Sequence, residues 1–376
     1  MKFSAIQICQ VLILMSLFGT AAVLARASGR IDDVRSQKIE RTVSADPAVT
    51  VSICVMSGSI SVRGWDRDEV LARSSDAAQI ELRQKAGASQ SGKAIKVEVF
   101  VVDKSDEPRN KSNCQAYSDL ELFVPRPASV HVQTRDGDIS IADIAVAVAG
   151  TQNGDINIER VSRAVEVGSV GGGVLIKDST GRASLTTIGG GIEVFNLRPS
   201  GAADGFEAVS VSGDLNLEGV SHSQFNARTV TGDVHLTGSL AAGGRYGFKT
   251  MSGDITLTLP GDSSFSLSAK VSKDGEIISD FPLKLIPDTA PSPAPAPAPD
   301  PAPAPAPAPP KRPAPDATPQ ASPVIVKVAP RMSKVIVTTP VITFTPTLRR
   351  VNAVCGAGDA SIQVASFSGT LHLVKK

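Results

Sequence analysis

Apolar and polar residues alternate in short runs along most of this chain, and the runs open on the same kind of corner. The recurring unit is a small polar residue, Gly, Asp or another small residue, then apolar–polar–apolar. It reads SGSISV at 57–62, DGDISI at 136–141, NGDINI at 153–158, GGVLI at 172–176 and GGIEV at 190–194. It continues as SGDLNL at 212–217, TGDVHL at 231–236 and SGDITL at 252–257, and returns after a long interruption as GDASIQV at 358–364 and SGTLHL at 368–373. Between Gly137, Gly154, Gly172, Gly190, Gly213, Gly232 and Gly253 the steps are 17, 18, 18, 23, 19 and 21 residues. The longest step contains RPSGAADG at 198–205, which reads as an inserted surface turn.

Each unit has a second alternating half, such as Phe225, Ala227 and Val230 ahead of Val234 and Leu236. Period-two alternation marks strands with one buried face. Gly reaches positive φ cheaply, and a neighbouring Asp or Asn bonds locally to backbone, so Gly-Asp supplies a corner. The predicted structural turns are Gly58, Gly137, Asp138, Gly154, Asp155, Gly213, Asp214, Gly232, Asp233, Gly253, Asp254 and Gly369. Two short strands per unit cannot close a core alone, but stacked coils bury a continuous column of Ile, Val, Leu and Phe. The expected fold is all-β, a single-chain β-solenoid of 17–23-residue rungs. A β-sandwich also has short strands between turns, but does not need the same corner at a near-constant step. Seven units at ~4.8 Å each would make a column of roughly 30–35 Å. No 12-residue stretch shows a clean helical period.

Around this body the chain divides into five parts. Residues 1–27 read as a secretory signal peptide: Lys2, the apolar run VLILMSLFGTAAVLA at 11–25, and small residues in Ala25-Arg26-Ala27, with cleavage after Ala27. Residues 28–134 are expected to form an N-terminal β cap and first rungs, and 135–286 the repeats. Residues 287–323 hold 16 of the 26 prolines and read as a disordered or polyproline spacer. Residues 324–376 open with VIVKV, KVIVTT and VITFT and end in the final rungs, expected to dock on the rung around Gly253.

Composition narrows the function classes. Lys plus Arg is 38 and Asp plus Glu is 37; without Lys2 and Arg26 of the leader the balance is 36 against 37, a net −1. That gives no electrostatic reason for a nucleic-acid or anionic-membrane partner. After the leader no segment is apolar for 18 residues, so no transmembrane segment is expected in the mature chain. Export permits disulfides, and beyond Cys9 the chain keeps Cys54, Cys114 and Cys355, an odd number. Cys54 and Cys114 are the pair considered for a bridge. No two of these cysteines lie within 50 residues, which excludes a zinc ribbon.

The series SGSISVRGWDRDEV (57–70), VSGDLNL, TVTGDVHL, TMSGDITLTLP and AGDASIQVASFSGTLHL resembles the bacterial putative-adhesin family, secreted β-solenoid domains of unknown function built from repeated sGdI.l units. The likeness covers about 50–286 and 351–376; the proline tract lies outside it. It implies an adhesin-like role and offers no catalytic residues.

An enzyme is the competing class, since some β-helices cleave polysaccharides. That chemistry needs two carboxylates facing one cleft, and the repeated Asp residues could line one edge. They occupy the turn position that favours Asp for backbone bonding, and aromatic platforms are few: Trp65, Tyr117 and Tyr246. Trp65 reads as a packing anchor at a bend. Calcium β-rolls use shorter nonapeptides, the four histidines are dispersed with His235 and His372 outward, and the glycine runs follow no strand-to-helix junction. No catalytic residue, metal or cofactor is assigned. The expectation is an exported, non-catalytic adhesin-like or scaffolding protein of the periplasm, cell surface or extracellular space. Its flanks, with ladders of Ser, Thr, Asn and Asp, would bind an envelope or extracellular ligand, protein or glycan. The alternative is a carbohydrate-active β-helix lyase or hydrolase.

Overall fold

The computed structural model describes residues 39–75, 79–86, 92–102, 116–272, 275–286 and 348–376. The leader, the proline tract and the expected strands at 324–328, 334–339 and 341–345 lie outside the described residues. These contain 26 strands and no helix. The alternation read from the sequence is the reason: each coil presents two short strands whose every second residue is apolar, and parallel neighbours pair them all along their length.

The strands form two facing ladders. From residue 139 to 259 each coil lies directly on its sequence neighbour. In the front ladder Ile139–Ala142, Ile156–Glu159, Val174–Lys177, Ile192–Phe195, Leu215–Glu218, Val234–Thr237 and Ile255–Leu259 pair in parallel register. In the back ladder Val146–Thr151, Ala164–Ser169, Arg182–Thr187, Gly205–Ser210, Gln224–Arg228 and Arg245–Thr250 do the same. Inward residues from both ladders meet in one core. Ile156, Ile158, Ile192, Val194, Leu215, Leu217, Ile255 and Leu257 are at most 1% exposed, each burial stabilising by about 1.5–3 kcal/mol. On the back side the core thickens along the column, from Ala147 and Ala183 to Phe206, Phe225 and Tyr246. The rings of Phe206 and Phe225 stack at 4.8 Å, and Phe225 meets Tyr246 at 5.6 Å and Phe248 at 5.3 Å.

Towards the N-terminus the same column continues, but the stacking order departs from chain order. Ile60–Trp65 lies between Leu120–Pro125 and Ile139–Ala142. Residues 50–57 of the long strand Ile39–Ser57 pair with Ser129–Asp136 on one side, and residues 50–53 pair with Ala94–Val102 on the other. Antiparallel strands then close this end, Glu69–Ser74 on Leu120–Pro125 and Gln79–Ala86 on Ala94–Val102. At the far end the coil 360–375 sits between the coils 245–259 and 265–279. The outermost strands there, Ile277–Ser279 and Lys284–Ile286, are three residues long, while Gln79–Ala86 carries Glu81, Arg83 and Lys85. Short or charged edges discourage end-to-end strand pairing, so the flanks are the broad accessible surfaces.

Candidate binding face

Two corners per coil fix where the flank side chains point. At the back-to-front corner, Gly137, Gly154, Gly232, Gly253 and Gly369 have φ of 152°, 140°, 142°, 142° and 148°. These glycines stack so closely that a Cβ on Gly232 would run into the carbonyl of Gly213, one on Gly253 into that of Gly232, and one on Gly369 into that of Gly253. The following Asp residues bond coil to coil. Asp138 Oδ1 accepts the Asp155 N–H at 2.9 Å, Asp214 Oδ1 that of Asp233 at 2.8 Å, and Asp254 Oδ1 that of Thr370 at 2.6 Å. At Gly58 the neighbouring coil supplies Asp119, whose Oδ1 accepts the Ser59 N–H at 2.7 Å. These carboxylates therefore line one edge of the column with backbone hydrogen bonds, apart from either flank.

Two features escaped the sequence reading. Three residues before Gly154, Gly172, Gly190, Gly213, Gly232 and Gly253 stands a buried hydroxyl: Thr151, Ser169, Thr187, Ser210, Thr229 and Thr250. Several donate to the glycine carbonyl of the preceding coil, as Thr229 Oγ1 does to Gly213 at 3.1 Å and Thr250 Oγ1 to Gly232 at 3.2 Å. The front-to-back corner has its own left-handed position, filled in turn by Asp143, Arg160, Asp178, Asn196 and Gly219 (φ 61°, 51°, 48°, 57° and 68°). Arg160 grips Asp143 through two bonds of 2.8 and 2.9 Å, which holds the Asp143 carboxyl below the usual carboxylate range.

The outer face of the back ladder carries a groove of about 670 Å³ running across the strands from Val146–Thr151 to Arg245–Thr250. Its floor is small, with Val146, Ala164 and Gly205 at the strand starts, and its charged side chains are Glu166, Arg182, Glu207 and Arg245. Stacking brings them together: Val148, Glu166, Ser184, Glu207 and Asn226 occupy one row in direct register. Within that row Asn226 Nδ2 donates to Glu207 Oε1 at 3.3 Å, and from two residues further along the strand Arg228 Nε donates to Asn226 Oδ1 at 2.9 Å. The row continues through His131, beside Val148. Burial lowers the basicity of this imidazole, against the opposing pull of Glu166. The aromatic rings on these coils, Phe206 and Phe225, turn inward, so no aromatic platform faces the groove among the described residues. No cluster of three or more His, Cys, Asp or Glu is placed to hold a metal among the described residues.

The remaining residues singled out by sequence lie elsewhere. His235 is exposed on the opposite, front face. Trp65 packs on Phe123 at 5.3 Å, its Nε1–H donates to the Glu69 carbonyl at 2.9 Å, and Arg67 covers its ring at 4.9 Å. Cys54 is disulfide-bonded; Cys114 lies outside the described residues. Cys355 is a buried free thiol.

A family model described as Toastrack DUF4097 matches residues 52–285. No curated protein matches the chain. Among solved structures, a putative adhesin from Parabacteroides distasonis is 11% identical with a TM-score of 0.37, covering 60% of this chain and 90% of its own. A putative adhesin from Bacteroides fragilis is 19% identical with a TM-score of 0.31, covering 59% and 96%. A putative cell adhesion protein from Clostridium sporogenes is 9% identical with a TM-score of 0.24, covering 90% and 100%.

Proposed function

The chain belongs to the Toastrack DUF4097 family, and from that premise we propose that it is an exported, non-catalytic binding or scaffolding protein of adhesin-like type. It would act in the periplasm, at the cell surface or outside the cell, presenting the outer face of the back ladder to an envelope or extracellular ligand. The observation that carries this reading is the groove across that face, where Glu166, Arg182, Glu207 and Arg245 are exposed on stacked coils. A rigid β-column fixes their spacing in advance, so little ordering cost accompanies binding. Opposite charges set among small residues suit a polar, extended partner bound over several coils.

The carbohydrate-active alternative has Glu166 and Glu207 near arginines in its favour. Against it, the rings of these coils are spent on the core, and the aspartates of the corner are engaged with backbone.

Co-sedimentation of the purified chain with envelope fractions tests the proposal. The pair Arg182→Glu and Arg245→Glu should weaken binding about tenfold or more, the loss of roughly 1.4 kcal/mol or more. Asn216→Glu on the front face should leave it unchanged. Binding that survives the back-face pair, or glycan turnover lost with Glu166→Gln or Glu207→Gln, would overturn it.

A further inference from the structure

Between residues 139 and 286 the stacking follows chain order except where the C-terminal segment enters it: the coil 360–375 separates two coils that are consecutive in sequence, and Leu348–Cys355 separates Phe265–Ser272 from Lys284–Ile286. Everything that holds this coil is non-covalent. Residues 361–366 pair with 245–250, and 371–375 with 255–259. Their other edges pair with 265–271 and 277–279. The preceding strand, Leu348–Cys355, pairs antiparallel with Phe265–Ser272 and Lys284–Ile286. The last backbone bond before the interruption joins this same region, since Ile286 lies opposite Asn352.

The 61 residues from 287 to 347 are the whole covalent connection between the column and this inserted segment. A connection of that length keeps the segment at a lower effective concentration than the millimolar level typical of short linkers. Every pairing just described would be identical if the segment came from another copy of the chain, because only the route of residues 287–347 would change. Exchange of an identical element is a low-cost route to a dimer. The inserted coil also lies beyond the span that the family match covers, which ends at residue 285.

We propose that the slot between the coils 245–259 and 265–279 is a homotypic docking site that takes residues 348–376 of a second copy, so that two chains join by reciprocal exchange of this segment. The groove on the back face plays no part in this inference.

The test uses two pools of full-length chain with different affinity tags, one Thr256→Cys and one His372→Cys. These positions are direct partners across a parallel pair, so a disulfide joining both tags forms when the segment of one chain sits in the slot of the other. The pools are unfolded together and refolded at about 1 and about 100 µM, below the millimolar range of short tethers. A doubly tagged dimer several-fold above that from Thr256→Cys mixed with Ile278→Cys, and rising with concentration, is the expected result; Ile278 pairs with His372, on the side away from Thr256. Doubly tagged product at the control level at both concentrations overturns the proposal. Should either variant fail to refold, the unmodified chain is weighed by light scattering after the same refolding. A concentration-dependent dimer supports exchange, and monomer at both concentrations overturns it.

Discussion

Oδ1 of Asp233 accepts the backbone N–H of Asp254, one coil further along the column, at 2.7 Å. The backbone N–H of Asp233 in turn donates to Asp214 Oδ1 at 2.8 Å, so carboxylates and amides pass along the corner in relay. Charge-assisted bonds of this kind contribute more than neutral ones. Asp233→Ala should cost about 1–2 kcal/mol, read as a lower urea midpoint with unchanged m-value. Binding to envelope fractions should stay at the wild-type level. Loss of binding at full stability would move this carboxylate from the scaffold to the ligand site.

Inside the same corner Thr250 is fully buried and its hydroxyl donates to the Gly232 carbonyl. Thr250→Val keeps the shape and removes the donor, leaving a buried carbonyl short of a partner. The expected loss is about 1–3 kcal/mol in urea unfolding, whereas Thr256→Val, on the outward side of the next strand, should change stability by less than about 0.5 kcal/mol.

The corner glycines and the alternation were legible because they are local: one residue type where a Cβ would meet the neighbouring coil's carbonyl, and a period of two. The hydroxyl ladder was equally local, a Ser or Thr three residues ahead of Gly137, Gly154, Gly172, Gly190, Gly213, Gly232, Gly253 and Gly369, and attention to the glycines alone passed over it. The second corner hid for a different reason. Its left-handed position is met by Asp143, Arg160, Asp178, Asn196 or Gly219, so no one residue type marks it in every coil. Stacking in chain order, and the return of the last rungs to the coil of Gly253, followed from the repeat. The entry of 360–375 ahead of the coil 265–279 and the order at the N-terminal end did not, since coils with interchangeable registers do not encode which neighbour they choose. Glu166, Arg182, Glu207 and Arg245 were not singled out by sequence, because the groove that joins them depends on the register between coils.

His222 is fully buried, with Nε2 2.8 Å from the Gly181 carbonyl and the Phe206 ring centred 6.0 Å away. Burial lowers its pKa below the ordinary 6.5, while the bond to Gly181 and the charge of Asp204 pull the other way. The unfolded chain therefore binds this proton more readily than the folded one. Stability is complete above about pH 6.5 and falls as the pH drops below it, by at most ~1.4 kcal/mol per pH unit for one group. Burial shifts His131 in the same direction. Asp143 and Asp204, held low by Arg160 and by the Ser200 hydroxyl respectively, act only at more acid pH. Urea midpoints at pH 7.5, 6.0 and 5.0 should decline, and His222→Gln should flatten the decline.

The parallel register at the N-terminal end has a constant offset of 60 residues: Ser57 bridges Tyr117 and Ile60 pairs with Leu120. Cys54 and Cys114 are separated by the same 60 positions, which makes Cys114 the expected partner of the Cys54 disulfide. Peptide mapping without reductant should recover that linked pair. Closing a loop of this length stabilises by about 4 kcal/mol in the chain-entropy account, so Cys54→Ser with Cys114→Ser should lower the melting temperature markedly. A map joining Cys54 to Cys355 would refute the assignment.

Cys355 reports on the inserted C-terminal segment. It is 5% exposed, and its Sγ lies 3.6 Å from the Ser263 carbonyl, so a thiol reagent reaches it only when the strand Leu348–Cys355 opens. Gly369 stacks on Gly253 with φ of 148°, where a side chain would meet the Gly253 carbonyl. Gly369→Val therefore strains the inserted coil where it rests on the column, while Gly154→Val places a similar clash against Gly137, many coils away. If the segment opens as its own unit, Gly369→Val should speed native-state labelling of Cys355 by about tenfold or more for each 1.4 kcal/mol of strain, and Gly154→Val should leave the rate near wild type. Equal acceleration by both would mean that the column opens only as a whole. The slot would then have no independent existence in the folded chain.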